Sequence, residues 1–197
     1  MSDRKQNESS DGEGGPLELA LVGDLSENDV DISDKLLGVP GGSACILYIN
    51  SPGGSAYTAI SLMNLIRLRR LRVTGVVTGE CSSAALWPFA ACTRRLVTRY
   101  SVLLFHPMKW QSEEHVRLAE ATEWARHFGE LERDMDHLLA DLLGLPYEEL
   151  VRWMRPGSYV SGQEFAAAGL AELVAHDEMP DVWDEGDRDE SRQGHGG

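Results

Sequence analysis

The stretch ACILYINSPGGSAYTAISLMNLI, residues 44–66, passes from one hydrophobic period to another. Residues 44–50 are apolar without alternation, bounded by Gly-Gly-Ser before and Ser-Pro-Gly-Gly after, the mark of a strand buried on both faces. From Ala56 onward Ile60, Met63, Leu65 and Ile66 fall at helical spacing, with arginines on the far side. The same order then repeats. RVTGVVTG, residues 72–79, is a strand rich in β-branched residues, and SSAALWPFAAC, residues 82–92, reads as a short buried helix in spite of Pro88. Strands that alternate with helices and are apolar on both faces imply an α/β fold.

Working outward, LELALVG (residues 17–23) is a strand, and RRLVTRYSVLLFHP (residues 94–107) offers two short strands on either side of Arg99-Tyr100. A long helix is predicted from Ser112, which can cap it, with Glu113 and Glu114 at its positive end. Its apolar positions are Ala121, Trp124, Ala125, Phe128, Leu131, Met135, Leu138, Leu139 and Leu142, and Gly144 and Pro146 stop it. About 30 residues of helix measure roughly 45 Å, more than a domain of this size needs for its own core. Such a helix protrudes, and its apolar stripe points to a second subunit.

The composition sets limits. A chain of 197 residues with 42% hydrophobic content suits one domain with a sizeable core. Residues 1–15 and the acidic tail 176–197 are polar and expected to be disordered, leaving 16–175 as the folded domain. Trp183 is the one aromatic in that tail. A net charge of −14 argues against nucleic acid or an anionic membrane as partner. No apolar run reaches membrane-span length, and MSDRKQNESSDGEGG shows no secretory pattern. The three cysteines, Cys45, Cys81 and Cys92, sit in apolar surroundings and read as reduced core residues of a cytoplasmic protein. No CxxC or HExxH spacing exists, so neither a metal nor another cofactor is expected.

Three features can carry chemistry. NSPGG, residues 50–54, is a glycine turn whose amides can meet an anion, or an ordinary strand-to-helix turn. Ser83, at the junction in VVTGECSSAA, suits a nucleophile elbow, while Ser82 or Ser83 would equally serve as a helix cap. His106 ends the strand SVLLFH, where it is either a base or a hydrogen-bonded core residue. Each lies at a strand end, where α/β sites gather.

Taken together, these strings resemble the proteolytic subunit of the Clp protease. ILYINSPGGSAYTAISLMNLI is similar to that family's strand, glycine turn and helix. VTGECSSAA is similar to its G-x-x-x-S-x-G motif, with Gly79 and Ser83 in register. SVLLFHP matches the strand of its histidine, and YVSGQEFAAAGLAELV its closing strand and helix, through Ser161, Glu164, Gly169 and Leu170. The resemblance implies a crotonase-like fold of stacked ββα units whose long helix is the handle between two heptameric rings. It implies a serine endopeptidase with Ser83 as nucleophile, His106 as general base, and the amides of Gly54 and Ala84 as oxyanion hole. The substrates would be proteins or peptides. ATP would be consumed by a partner AAA+ unfoldase and not by this chain.

The chain departs from the pattern in several places. The family's third residue is an Asp four places before the closing-strand Ser; counting back from Ser161 gives Gly157, flanked by Pro156 and Ser158. Ala85 replaces the motif's last Gly, and Pro107 follows the histidine directly. MKWQSEEH stands where the family has its glycine-rich substrate strand, and ENDVDISDKLLGVPGGSA is a shortened segment. The apolar axial-loop pattern is missing from the N-terminus. The alternative reading is therefore a weak or inactive paralogue with a structural role in a mixed ring. A crotonase-fold acyl-CoA enzyme and a Ser-Lys peptidase are further options; of Lys5, Lys35 and Lys109, only Lys109 is near the candidate site in sequence.

Overall fold

The computed structural model describes residues 15–111 and 115–174. The expectations for the two terminal segments, including Trp183, and for Ser112, Glu113 and Glu114 lie outside the described residues.

The α/β reading holds. Strands β1 (Leu17–Val22), β2 (Ala44–Ser51), β3 (Arg72–Ser82), β4 (Arg94–Thr98) and β7 (Glu172–Val174) run parallel in the order β1-β2-β3-β4-β7. Strand β5 (Val102–Phe105) joins β3 in parallel, and β6 (Ser158–Ser161) lies antiparallel on β5. The eleven-residue β3 is the spine. Its residues 74–77 pair with β4, and its last three, Glu80, Cys81 and Ser82, pair with Val102, Leu103 and Leu104 of β5. One strand therefore carries both the main sheet and the strand that ends at His106.

The unbroken apolar run of β2 is explained by burial on both faces. Cys45, Leu47 and Ile49 enter the main core beneath the helices, and Ile46 joins Val76 and Leu96 in a smaller cluster on the other face. Helix α2 (Ala56–Leu68) is capped by Ser55, whose hydroxyl accepts from Thr58 N at 3.2 Å. It buries Ala59, Leu62, Met63 and Ile66, so Ile60 and Leu65 flank the buried stripe rather than form it. A 3-10 turn (Ser83–Ala85) and the short helix α3 (Leu86–Ala90) follow β3, with Pro88 in the buried segment.

Two helices have no counterpart in the sequence reading. Helix α1 (Leu25–Gly38) occupies the segment taken only as shortened; it buries Leu25, Ile32 and Leu36 among polar residues, and Asp24 caps it by accepting from Ser26 N at 2.7 Å. Helix α5 (Tyr147–Met154) follows Pro146 and buries Leu150 and Met154.

The long helix α4 spans Leu118–Leu143 and does not start at Ser112. Its beginning is set by Glu120, whose Oε2 accepts from the Arg117 N–H at 3.2 Å and satisfies an amide the helix leaves open. Gly144 ends it at φ +73°, as expected from its position. At 26 residues it measures about 39 Å. Met135, Leu139, Ala140 and Leu143 in its second half are buried, while Leu118 at its start is 85% exposed. Leu131, Leu138 and Leu142 of the predicted stripe pack partly on the chain's own core. Helix α6 (Gly162–Ala167) closes the fold with a capping box between Ser161 and Glu164.

Arg95 on β4 ties several of these pieces together. Its Nε donates to Leu170 O at 2.8 Å, and its Nη1 reaches Ala90 O at 3.1 Å and Leu142 O at 3.4 Å. One half-buried guanidinium thus satisfies carbonyls from the ends of α3, α4 and α6. Arg95→Leu is expected to lower stability by about 2–3 kcal/mol in urea denaturation, because charge-assisted bonds are lost and buried carbonyls are left bare. A loss under about 0.5 kcal/mol would assign those carbonyls other partners.

Candidate active site

Ser83 stands where β3 gives way to the 3-10 turn, at φ +54°. A left-handed backbone on a residue with a Cβ costs about 1–2 kcal/mol, and such strain persists only where neighbours impose it. Gly53 is that neighbour. A Cβ on Gly53 would come within 2.7 Å of Ser82 O and of Ser83 Cβ, and 2.9 Å of Ala84 N. The glycine turn is therefore pressed directly on the serine turn, and only a residue without a side chain fits. Gly53 is itself at φ +101°. Gly79 has a related reason: a Cβ there would lie 2.6 Å from Asn50 Oδ1, which accepts from Glu80 N at 3.0 Å and joins the ends of β2 and β3.

The glycine turn is oriented from its other side. Leu25 N, in the open first turn of α1, donates to Gly53 O at 2.8 Å. That peptide is trans, so its N–H, on Gly54, points the opposite way. Gly54, Ser83, Ala84 and His106 all border one cavity of about 410 Å³. The residues singled out from sequence are thus brought to one place. Ser82 is buried and its hydroxyl donates to Glu80 Oε1 at 2.6 Å; it makes no cap bond, which leaves Ser83 as the serine on the cavity.

His106 follows β5 directly. Its Nδ1 lies 2.6 Å from Pro107 O, and a carbonyl oxygen can only accept, so Nδ1 is the donor and in the neutral ring Nε2 is the bare acceptor. The same peptide unit is gripped from behind: Met108 N donates to Glu132 Oε1 on α4 at 3.2 Å. A carboxylate thus acts on the imidazole through one peptide group, N–H on one side and C=O on the other. The segment after His106 is pinned to α4 by Trp110, which packs on Trp124 and Phe128 with centroids 5.1 and 5.9 Å away.

Gly157, the position counted back from Ser161, does lie against the histidine. A Cβ on it would be 3.4 Å from His106 Cβ and from Phe105 O. At φ +129°, however, it has a backbone that an Asp would adopt only under strain. Ser158 pairs with Phe105 across β6 and β5, and the Nδ1 position is already filled by the Pro107 carbonyl.

Sequence reading missed Glu132 and Asp136, two acids one helical turn apart on α4 that also border the cavity. The available signal was their place inside the apolar stripe between Phe128 and Leu139. Asp136 is 1% exposed, and its Oδ2 has no hydrogen-bond partner among the described residues. Loss of solvent, and then the charge of Glu132, push its carboxyl from 3.8 to about 6, against the pull of Arg155 and His137. Lys109 borders the same cavity from an exposed position. Cys45, Cys81 and Cys92 are buried and free, and desolvation pushes the Cys92 thiol up to about 12, so none is poised as a nucleophile.

Comparison with known proteins gives a consistent picture. The family model described as Clp protease matches residues 40–178. The ATP-dependent Clp protease proteolytic subunit of Ostreococcus tauri is 30% identical over 142 residues, covering 69% of this chain and 68% of that protein. Its namesake in Pleurastrum terricola is 27% identical over 131 residues, 66% of each chain. This chain thus spans about two thirds of the length of the curated relatives it matches. Among solved structures, a ClpP1 mutant from Listeria monocytogenes superposes with TM-score 0.70 at 19% identity, covering 80% of this chain and 90% of that one. The ββα architecture with its protruding helix, expected from the sequence, is the fold of that protein.

The raised carboxyl of Asp136 has a thermodynamic consequence. A group that ionises at a higher pH folded than unfolded destabilises the fold once ionised, with the full penalty above about pH 6 and none below about 3.8. Asp136→Asn should therefore gain stability over wild type at pH 8, with the difference shrinking by on the order of 2 kcal/mol at pH 4.5. Urea titrations at both pH values check this, and a pH-independent difference would contradict it.

Proposed function

The chain belongs to the Clp protease family, and on that premise we propose that it is a serine endopeptidase subunit of a Clp-type complex, with Ser83 as nucleophile and His106 as general base. The observation that carries this reading is the strained Ser83 turn on one cavity with an imidazole whose Nε2 is bare. In the first step Ser83 Oγ bonds to the scissile carbonyl carbon while its proton passes to His106 Nε2. The carbonyl oxygen becomes an oxyanion facing the amides of Gly54 and Ala84. The imidazolium then gives its proton to the leaving amine, and water repeats the sequence to free the acyl group. Pro107 C=O holds the imidazole tautomer in the role a carboxylate has in other serine proteases. Glu132 is a positioning residue: hydrogen-bonded to the N–H of that peptide, it increases the negative charge on the carbonyl that faces the imidazolium.

The wider assembly is part of the same proposal. The exposed beginning of α4 is suited to pair with a second copy or a paralogue in a double ring, and a separate unfoldase would use the ATP. No helix among the described residues is long and apolar enough to cross a membrane. Three free buried thiols agree with a reducing compartment such as the cytoplasm.

The nucleophile is tested by labelling with a neutral fluorophosphonate. Wild type and Ser82→Ala should react, and Ser83→Ala should not; labelling that persists in Ser83→Ala would remove the assignment. A wild type that assembles into rings but never labels would instead support the structural-paralogue reading.

A second series tests Glu132. Glu132→Gln keeps an acceptor for Met108 N–H and removes the charge, so kcat on a fluorogenic peptide should fall about tenfold with little change in KM. Glu132→Ala should fall further. Equal kcat in wild type and the Gln variant, or a change confined to KM, would show that the carboxylate does not act on the imidazole.

A further inference from the structure

Asp136 has no part in the mechanism above, yet it is the most deeply buried charge on the cavity. Its Oδ2 is bare of hydrogen bonds among the described residues while the side chain is 1% exposed. A carboxylate in that condition is costly unless something supplies its partner. Glu132, one turn earlier, adds a second negative charge and is already engaged with Met108 N. Among the described residues, Lys109 borders the same cavity from an exposed position, and Arg155 and His137 act on Asp136 by charge without a hydrogen bond to Oδ2. The Arg155 guanidinium is 58% exposed and stands 4.0 Å from Glu132, outside hydrogen-bond reach.

Much of the wall beside Asp136 is apolar, and Lys109 stands on it at an exposed position. Trp87, Met154 and Phe128 line the cavity, with Trp87 fixed by its indole N–H donating to Met135 O at 2.9 Å. A cavity bordered by Ser83, apolar side chains and a buried acid fits a side chain with an alkyl stem and a cationic end. Asp136 does not serve as the orienting acid of His106, because Nδ1 is bonded to Pro107 O and the charges acting on Asp136 are Glu132, Arg155 and His137.

We propose that Asp136 is the specificity determinant of this site: it receives the lysine or arginine side chain of the residue whose carbonyl Ser83 attacks. This rests on the peptidase reading and adds its substrate class, peptides cleaved after a cationic residue. Oδ2 has almost no accessible surface in this pose, so a turn of the Asp136 side chain toward the cavity it borders would bring the carboxylate to the bound ammonium or guanidinium, with Glu132 adding negative charge beside it.

The test is a set of fluorogenic peptides that differ only in the residue before the scissile bond: arginine, lysine, citrulline or leucine. Citrulline keeps the shape of arginine and removes the charge. Wild type is expected to favour arginine or lysine over citrulline by about tenfold to a hundredfold in kcat/KM. Asp136→Asn should bring that ratio near one, with folding and assembly of the variant checked by sedimentation and thermal denaturation. Equal turnover of arginine and citrulline peptides by wild type, or a ratio unchanged in the variant, would overturn the proposal while the fluorophosphonate reaction of Ser83 left the peptidase reading in place. If Ser83 proves unreactive, calorimetry with agmatine as the probe decides: binding by wild type that is lost in Asp136→Asn supports the cation site, and no binding removes it.

Discussion

The missing side chain of Gly53 is the constraint on which the site depends. The ends of β2 and β3 meet so closely that a Cβ on this residue would lie 2.7 Å from Ser83 Cβ. That approach holds Ser83 in its left-handed conformation and turns the Gly53 carbonyl toward the first turn of α1. The serine on its turn and the amide of Gly54 beside it are thus two results of one contact. Strand β3 completes the arrangement, because its last three residues pair with the strand that delivers His106. Strain at the serine is offset elsewhere by a core in which Leu21, Ile49, Val77, Leu103 and Phe105 are almost wholly buried.

What could be read from the chain followed how strongly each signal is local. An unbroken apolar run made β2 legible close to its ends, and alternation marked β1, whereas β3 runs on to Ser82, three residues past its predicted end. That Ser83, His106, Gly54 and Ala84 share one cavity accords with the order of the motifs that carry the family resemblance. Helix α1 was not legible, since its three buried residues are spread over a polar segment whose partner surface is distant in sequence. The start of α4 was misplaced because Ser112 is a good cap by type, whereas Glu120 sets the end by reaching back to the Arg117 amide. Glu132 and Asp136 were hidden by the apolar stripe that contains them. Their proximity to His106 depends on how α4 crosses the end of β5, which no pattern within either element records.

The site also divides its negative charge in an uncommon way. Among the described residues no carboxylate is hydrogen-bonded to the imidazole; the backbone beside His106 at Gly157 has a φ of +129°, which disfavours one there. Two acids that border the same cavity come instead from α4. One reaches the histidine through a peptide group, and the other has an Oδ2 with no hydrogen-bond partner among the described residues. A peptide carbonyl fixes a tautomer as well as a carboxylate does, but as a dipole it stabilises an imidazolium less than a full charge. The expected outcome is a peptidase slower than one with a complete triad, since loss of the orienting carboxylate costs serine proteases about 10⁴ in turnover. Binding of a complementary substrate side chain at Asp136 would recover part of that loss in kcat/KM.

The central claim is that a backbone carbonyl takes the place of the acid at His106. The most direct measurement is ¹⁵N NMR of histidine-labelled protein at pH 8, with the His106 signals identified by their absence from His106→Gln. The arrangement of His106 and Pro107 requires Nδ1 to appear protonated and Nε2 unprotonated. A protonated Nε2 with a bare Nδ1 would mean that Pro107 O does not hold the imidazole and that the ring cannot accept the Ser83 proton from this pose.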